Sequence, residues 1–235
     1  MRIDKLISDM GLASRKEASL IAKRGGVLVD GEPVRDLSRH VDPGKNIITF
    51  QGQKIEFRRF SYVMLNKPCG YVSATDDKIN PYVTELLSPE LRKMELFPVG
   101  RLDKDTVGLM ILTNNGQLAH RLLSPKRHVE KDYRFESEDA LSESVERDFE
   151  NGVTLADGYE CKPSKIVLNA DRKSGVITLT EGKYHQIKRM IAAVGSRITY
   201  LERIRFASIP LDEALARGEW RYLTDAEISE LEALL

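Results

Sequence analysis

The stretch from Gly100 to Leu109 combines one arginine and two aspartates within a few positions. Arg101, Asp103 and Asp105 stand between two glycines, which let a backbone turn tightly and approach a ligand. The apolar run that follows can anchor this loop in a core. A carboxylate held on a rigid base beside a cation can act as a nucleophile or as a general base. Spacing alone favours an exposed acidic turn, so the case for chemistry depends on the other polar clusters.

A second dense polar cluster, residues 181–190, contains His185, Gln186, Lys188 and Arg189. Apolar residues at helical spacing, from Ile187 to Val194, predict a helix that begins within this cluster and stops at Gly195. Lys188 and Arg189 then lie at the front of that helix, where the helix dipole disfavours cations. Their placement predicts an anionic partner nearby, either a carboxylate or a phosphate.

Two single residues suggest contacts with a nucleic acid. Tyr133 stands among several lysines and arginines, and an aromatic ring among cations can stack on a base while the cations hold the backbone. A tyrosine in such a segment is more often a strand residue with its ring in the core. Lys67 follows a predicted strand, and we interpret it as facing a phosphate at the edge of a cleft. Ordinary turn chemistry also accounts for the Asn-Lys-Pro segment that contains it.

The N-terminal region carries an excess of positive charge although the whole chain has a formal net charge of +0. Ser14, with Glu17 three positions later, predicts a capping box at the start of a second short helix. Four cations on or near that helix can grip phosphates, namely Arg15, Lys16, Lys23 and Arg24. We call these four residues the N-terminal cation cluster. The two helices and the turn are also compatible with a DNA-reading helix-turn-helix, but no dimerisation helix is evident.

These motifs together resemble a known enzyme family. G-R-L-D-K-D-T-x-G-L at residues 100–109 is similar to the central motif of the pseudouridine synthases. K-x-Y at residues 131–133 and E-G-x-Y-H-Q-I-K-R-M at residues 181–190 resemble two further motifs of that family, in the same order. The N-terminal pattern resembles the RNA-binding domain of ribosomal small-subunit protein S four. M-L-N-K-P-x-G-Y-V-x-x-T-D-D at residues 64–77 narrows the resemblance to enzymes that modify small-subunit (16S) ribosomal RNA.

The resemblance implies a role for each matching residue. Asp103 matches the catalytic aspartate that attacks the uridine as its C1′–N1 bond is cleaved, after which the uracil rejoins the sugar through C5. Tyr133 matches the tyrosine that stacks on the base and can move the C5 proton, and Lys188 matches the cation that keeps the aspartate ionised and oriented. Arg101 matches the residue that fills the gap left by a flipped nucleotide. His185, Gln186, Arg189 and Lys67 would contact RNA, and the reaction requires no cofactor and no metal.

The implied fold is α+β, with a small N-terminal α/β RNA-binding domain and a catalytic domain on an extended, mainly antiparallel sheet with flanking helices. We expect the RNA-binding domain at residues 1–57, a linker at 58–61 and the catalytic domain at 62–235. Two cysteines and the lack of a long apolar run indicate a soluble cytoplasmic protein. The implied partner of this monomer is ribosomal RNA in an assembly intermediate of the ribosome, without a membrane.

Three alternatives remain open at the level of sequence. One is a pseudouridine synthase acting on large-subunit (23S) ribosomal RNA. Another is an assembly factor that binds ribosomal RNA without chemistry, which intact Asp103, Tyr133 and Lys188 disfavour. The third is a phosphatase with Asp103 and Asp105 in its nucleophile loop, which would need an uninterrupted strand where Pro98 and Gly100 stand.

Overall fold

A computed structural model describes residues 1–55, 57 and 60–234 of the chain. The chain divides into two compact units, one of residues 1–61 with 87–96 and one of residues 62–86 with 97–235. The expected linker at 58–61 includes Arg58 and Arg59, which lie outside the described residues. Within the described ranges, no helix combines the length and the apolar character that crossing a membrane requires.

The first unit contains three short helices and a four-stranded antiparallel sheet in the order β2-β1-β3-β4. Its elements are α1 (Ile3–Asp9), α2 (Arg15–Lys23), β1 (Val27–Val29), β2 (Glu32–Pro33), β3 (Ile48–Phe50), β4 (Gln53–Lys54) and α3 (Pro89–Lys93). The predicted capping box is present, because the Glu17 backbone N–H donates to Ser14 Oγ and the Ser14 N–H donates to the Glu17 carboxylate. Apolar residues of α1, α2, β1 and β3 form its core, so this small unit has an apolar interior of its own.

The second unit is built on one sheet of nine strands. The strands are β5 (Tyr62–Lys67), β6 (Phe97–Pro98), β7 (Val107–Thr113), β8 (Lys131–Ser137), β9 (Lys165–Leu168), β10 (Ser174–Leu179), β11 (Ile198–Phe206), β12 (Ile209–Pro210) and β13 (Trp220–Tyr222). The helices are α4 (Gly116–Leu123), α5 (Val145–Asn151), α6 (Gln186–Ala193) and α7 (Asp225–Glu232). Seven strands follow the order β13-β5-β7-β11-β8-β10-β9, while β6 pairs with β7 and β12 pairs with β11. The predicted α+β fold on a mainly antiparallel sheet is confirmed.

The pairing of β7 with β11 is parallel and joins two parts of the sheet that are otherwise antiparallel. It brings Gly108 opposite Arg203, and a Cβ at position 108 would lie 2.4 Å from the Arg203 carbonyl oxygen. Gly108 also has a φ of +97°, which favours glycine. Every residue of β7 is buried, which is typical of a central strand covered on both faces. This strand anchors the loop that precedes it.

Helices α5 and α6 lie on the part of the sheet that holds β8, β10 and β11. Their apolar side chains, including Phe149 and Met190, share one buried cluster with Phe135 and Ile177 of the strands. The helix predicted to begin within the polar cluster of residues 181–190 is therefore present as α6. Because its apolar face is fixed in the core, its first turn holds polar side chains in a defined place.

Candidate active site

The loop from Gly100 to Thr106 connects β6 to β7 and carries Asp103. Its turn is closed by the Thr106 N–H, which donates to the Asp103 carbonyl oxygen at 3.1 Å. The Ser73 hydroxyl accepts from the Leu102 N–H at 2.9 Å and donates to the Leu102 carbonyl at 2.7 Å. The backbone on both sides of Asp103 is therefore fixed by hydrogen bonds, as a reactive carboxylate requires.

Lys67 holds the same loop from beneath. Its side chain is fully buried at the end of β5, and its Nζ donates to the carbonyls of Asp103 (3.0 Å), Lys104 (3.2 Å) and Thr106 (2.7 Å), and to that of its neighbour Pro68 (3.2 Å). Burial lowers the pKa of Lys67 to about 8. The interpretation of Lys67 as a cation facing an RNA phosphate is wrong, because an ammonium group closed off from solvent and surrounded by carbonyls cannot reach one.

Asp103 lies in a cluster of charged groups with Lys188. Lys188 Nζ is 3.1 Å from Asp103 Oδ2 and 2.5 Å from Asp105 Oδ1, and His185 Nε2 is 3.6 Å from Asp103 Oδ1. Burial of Asp105 would raise its pKa, but the hydrogen bond and charge of Lys188 outweigh this and hold the pKa below its usual value. Burial likewise opposes the charge on Lys188, yet its bonds to Asp105 and Asp103 raise its pKa. Lys188 and Asp105 therefore stay charged over a wide pH range.

The two cations at the front of α6 both find carboxylates. Lys188 contacts Asp103 and Asp105, whereas Arg189 Nη2 contacts Asp157 Oδ2 at 2.5 Å. The expectation of an anionic partner at this helix terminus is met within the protein. Arg189 is not among the residues that line the cavity at Asp103, so the structure separates it from the other predicted site residues of its motif.

A cavity of about 710 Å³ opens beside Asp103. Asp103, Arg101, Tyr133, His185 and Lys188 all line it. Tyr133 is half-buried on β8, with one part of its ring against the core. The interpretation as a core residue and the interpretation as a residue open to a ligand each describe part of its environment. Seven lysine and arginine side chains line the cavity against two carboxylates, which makes it a site for an anionic ligand. Its volume is in the range that holds a small molecule or a single nucleotide.

Gln186 also lines the cavity, but its side chain has internal partners. It is 4% exposed, its Nε2 donates to Glu181 Oε1 at 2.6 Å, and its Oε1 accepts from the Lys183 N–H at 2.8 Å. The assignment of Gln186 to RNA binding is therefore corrected to a structural role at the start of α6. His185 precedes it with a φ of 49° and stacks on the exposed ring of Tyr184 at a centroid distance of 3.8 Å. Its own ring remains beside Asp103.

The N-terminal cation cluster lies on the first unit, and all four of its residues are exposed on or beside α2. Sequence reasoning missed another cation, Arg203, whose side chain is 2% exposed and lines the cavity. The sequence carries little signal for it, because Glu202 and Arg205 of the same strand, Ile198–Phe206, are charged as well. Thr106 was noticed only as part of the loop, although it is also buried at the cavity.

Comparisons with known proteins identify the family of the chain. Residues 61–193 match the family model described as RNA pseudouridylate synthase, and residues 1–47 match the S4 domain. An RNA pseudouridine synthase of Bacillus subtilis is 46% identical, over 97% of this chain and 97% of that protein. A protein named ribosomal small subunit pseudouridine synthase A, from Vibrio parahaemolyticus, is 38% identical over 98% of this chain and 99% of its own length. A crystal structure of a pseudouridylate synthase superposes with a TM-score of 0.69 at 35% identity, over 98% of this chain and 99% of that one. The chain belongs to the RNA pseudouridine synthases and carries an S4 domain at its N-terminus.

Proposed function

We propose that the enzyme isomerises a uridine of small-subunit (16S) ribosomal RNA to pseudouridine, with Asp103 as the nucleophile. The observation that carries the chemistry is the 3.1 Å contact of Asp103 with Lys188 at a cavity that Tyr133 also lines. Support for the substrate comes from the name of the Vibrio relative, a small-subunit enzyme that matches this chain over nearly its whole length. The S4 domain and the positive lining of the cavity support a polyanionic substrate.

In the proposed reaction the Asp103 carboxylate attacks the nucleotide and the C1′–N1 bond breaks. The electron pair of that bond leaves with the uracil, which becomes an anion and rotates within the cavity. C5 of the uracil then bonds to C1′, the carboxylate is released, and the proton on C5 leaves while N1 gains one, so the product is an isomer of the substrate. Tyr133 stacks on the base and moves the C5 proton. Lys188 pairs with the Asp103 carboxylate and keeps it oriented throughout.

The uridine must leave the RNA stack to reach Asp103, because C1′ and the base face are covered in a helix. Arg101, exposed at the rim of the cavity, fills the gap that the flipped nucleotide leaves. The N-terminal cation cluster, within a binding domain at residues 1–57, supplies affinity and placement for a catalytic domain at residues 62–235. His185 and Arg189 add contacts to RNA outside the reacting nucleotide. We place this monomeric enzyme in the cytoplasm, acting on ribosome assembly intermediates.

Mapping of pseudouridines in ribosomal RNA from cells with and without the gene tests the substrate. One modified site should disappear from 16S RNA when the gene is deleted and return when it is restored. Restoration with an Asp103→Asn gene should fail, which separates chemistry from RNA binding. Loss of a site from 23S RNA instead would refute the substrate proposal. Full restoration by the Asp103→Asn gene would refute the nucleophile.

A further inference from the structure

Two buried polar atoms have no hydrogen-bond partner in the part of the chain that the structure describes. They are Thr106 Oγ1 and Arg203 Nη2. Both residues are 2% exposed, and both line the cavity beside Asp103. Buried polar groups without partners are uncommon because each one costs desolvation free energy. Their occurrence at one cavity points to a ligand as the missing partner.

Arg203 is held in a defined position. Its Nε donates to the Leu109 carbonyl at 2.8 Å, and its guanidinium lies 5.3 Å from the centre of the Phe206 ring. No carboxylate of the described residues forms an ion pair with it. A buried guanidinium without a carboxylate is costly unless an acceptor completes its hydrogen bonds.

The sheet register places Arg203 next to the residue proposed to stack on the base. Arg203 of β11 is directly opposite Tyr133 of β8 on one side and opposite Gly108 of β7 on the other. Side chains of directly opposite residues are neighbours on the same face of a sheet. Thr106 lies immediately before β7 and lines the same cavity. Arg203 and Thr106 are therefore available to the edge of a base that stacks on Tyr133.

We propose that Arg203 and Thr106 bind the edge of the flipped uracil, with Arg203 Nη2 donating to a ring carbonyl oxygen and Thr106 Oγ1 accepting from N3–H. This inference rests on the proposed function. Uracil supplies this acceptor and donor together, whereas cytosine has no hydrogen on N3. When the C1′–N1 bond breaks, the electron pair spreads onto the ring oxygens, so the bond from Arg203 strengthens as the uracil becomes an anion.

Sulfur-substituted substrates test the contact of Arg203, because sulfur accepts hydrogen bonds weakly. Single-turnover rates are measured for wild-type enzyme and Arg203→Met on three RNAs, with uridine, 2-thiouridine or 4-thiouridine at the target. We expect Arg203→Met to lower the rate on uridine by about tenfold to a hundredfold, as for a hydrogen bond from a charged group. The same substitution should have a much smaller effect on one of the two thiouridine RNAs, and that RNA identifies the oxygen. Arg197→Met, which removes an exposed arginine paired with Glu138, is the matched control and should behave as wild type on all three.

Thr106→Val gives a second test that does not depend on Arg203→Met folding. The substitution replaces only the hydroxyl, which has no partner among the described residues of the protein, so the melting temperature should be unchanged or higher. The rate on uridine should nevertheless fall. A lower melting temperature with an unchanged rate would show a structural hydroxyl and overturn its part in the proposal.

The outcomes separate this inference from the function on which it rests. If wild-type enzyme forms no pseudouridine from uridine RNA, the proposed function fails and this inference fails with it. If wild type is active but Arg203→Met slows uridine and both thiouridines by the same factor, the inference alone is overturned, and Arg203 binds something other than the base edge.

Discussion

Removal of the positive charge at Lys188 should slow the conversion of uridine. Lys188→Met keeps a side chain of similar length but leaves Asp103 and Asp105 beside each other without the cation that contacts both. The variant also loses the contact that orients the Asp103 carboxylate. Because a misplaced nucleophile attacks less often, the rate of the chemical step should fall.

The magnitude follows from the geometry. Lys188 Nζ lies 3.1 Å from Asp103 Oδ2, and both side chains are about a quarter exposed, so solvent screens the pair only in part. A hydrogen bond between charged groups contributes about 1.5–3 kcal/mol, which corresponds to about tenfold to a hundredfold in rate. Lys188→Met should therefore lower the single-turnover rate by about tenfold to a hundredfold. Lys188→Arg, which keeps the charge, should remain closer to the wild-type rate.

Single-turnover conversion of a uridine-containing ribosomal RNA fragment at saturating enzyme gives this rate, and RNA affinity is measured separately. Arg189→Met is the matched control, because Arg189 is the next residue of the same helix and contacts Asp157 instead. It should weaken RNA binding without lowering the saturated rate. A wild-type saturated rate in Lys188→Met, with weaker RNA binding, would show that Lys188 contacts phosphate and that the reasoning is wrong.

Three further predictions concern the loop and the first unit. Asp103→Asn should abolish conversion and leave RNA binding nearly intact. The conversion rate of Asp105→Asn should stay within about fivefold of wild type, because the exposed ion pair of Asp105 contributes little. Comparable rates in the two variants would contradict the assignment of Asp103 as the nucleophile. Lys67→Met should slow single-turnover conversion at least about tenfold, because the loop that carries Asp103 is displaced, and RNA affinity should be unchanged. Weaker RNA binding at an unchanged rate would restore the interpretation of Lys67 as a phosphate contact. Alanine at all four positions of the N-terminal cation cluster should weaken RNA binding and make it less dependent on salt. The slope of the logarithm of the binding constant against the logarithm of the salt concentration should flatten by roughly 0.7 for each phosphate that the variant no longer neutralises. An unchanged slope would exclude binding of this cluster to the RNA backbone.

The sequence was most informative where local chemistry decides structure. The capping box of Ser14 and Glu17 and the helix α6 depend on short-range patterns, and both are present. The helix predicted to stop at Gly195 has Ala193 as its last residue. Helix boundaries depend on capping geometry and on packing, which composition does not encode.

Prediction failed where the partner of a residue comes from a distant strand. The sequence predicts Lys67 to be a surface cation in a turn. It is a buried hydrogen-bond donor because the loop that ends at Thr106 packs over it. The resemblance of its motif implies that Gln186 contacts RNA, but its side-chain amide donates a hydrogen bond to Glu181 instead. Arg203 gave no distinct signal in a strand with other charged residues, because its position at the cavity depends on its pairing with Tyr133 and Gly108.

The parallel pairing of β7 with β11 also has a consequence for biosynthesis. Arg203 follows Asp103 by one hundred residues, and ribosomes add about 5–20 residues per second, so about 5–20 seconds separate the synthesis of these two residues. The first unit, in contrast, consists of residues 1–61 and 87–96, all of which precede Asp103 in the chain. A nascent chain can thus display a folded RNA-binding unit while its active site does not yet exist. During its synthesis the chain can therefore bind RNA several seconds before it can modify RNA.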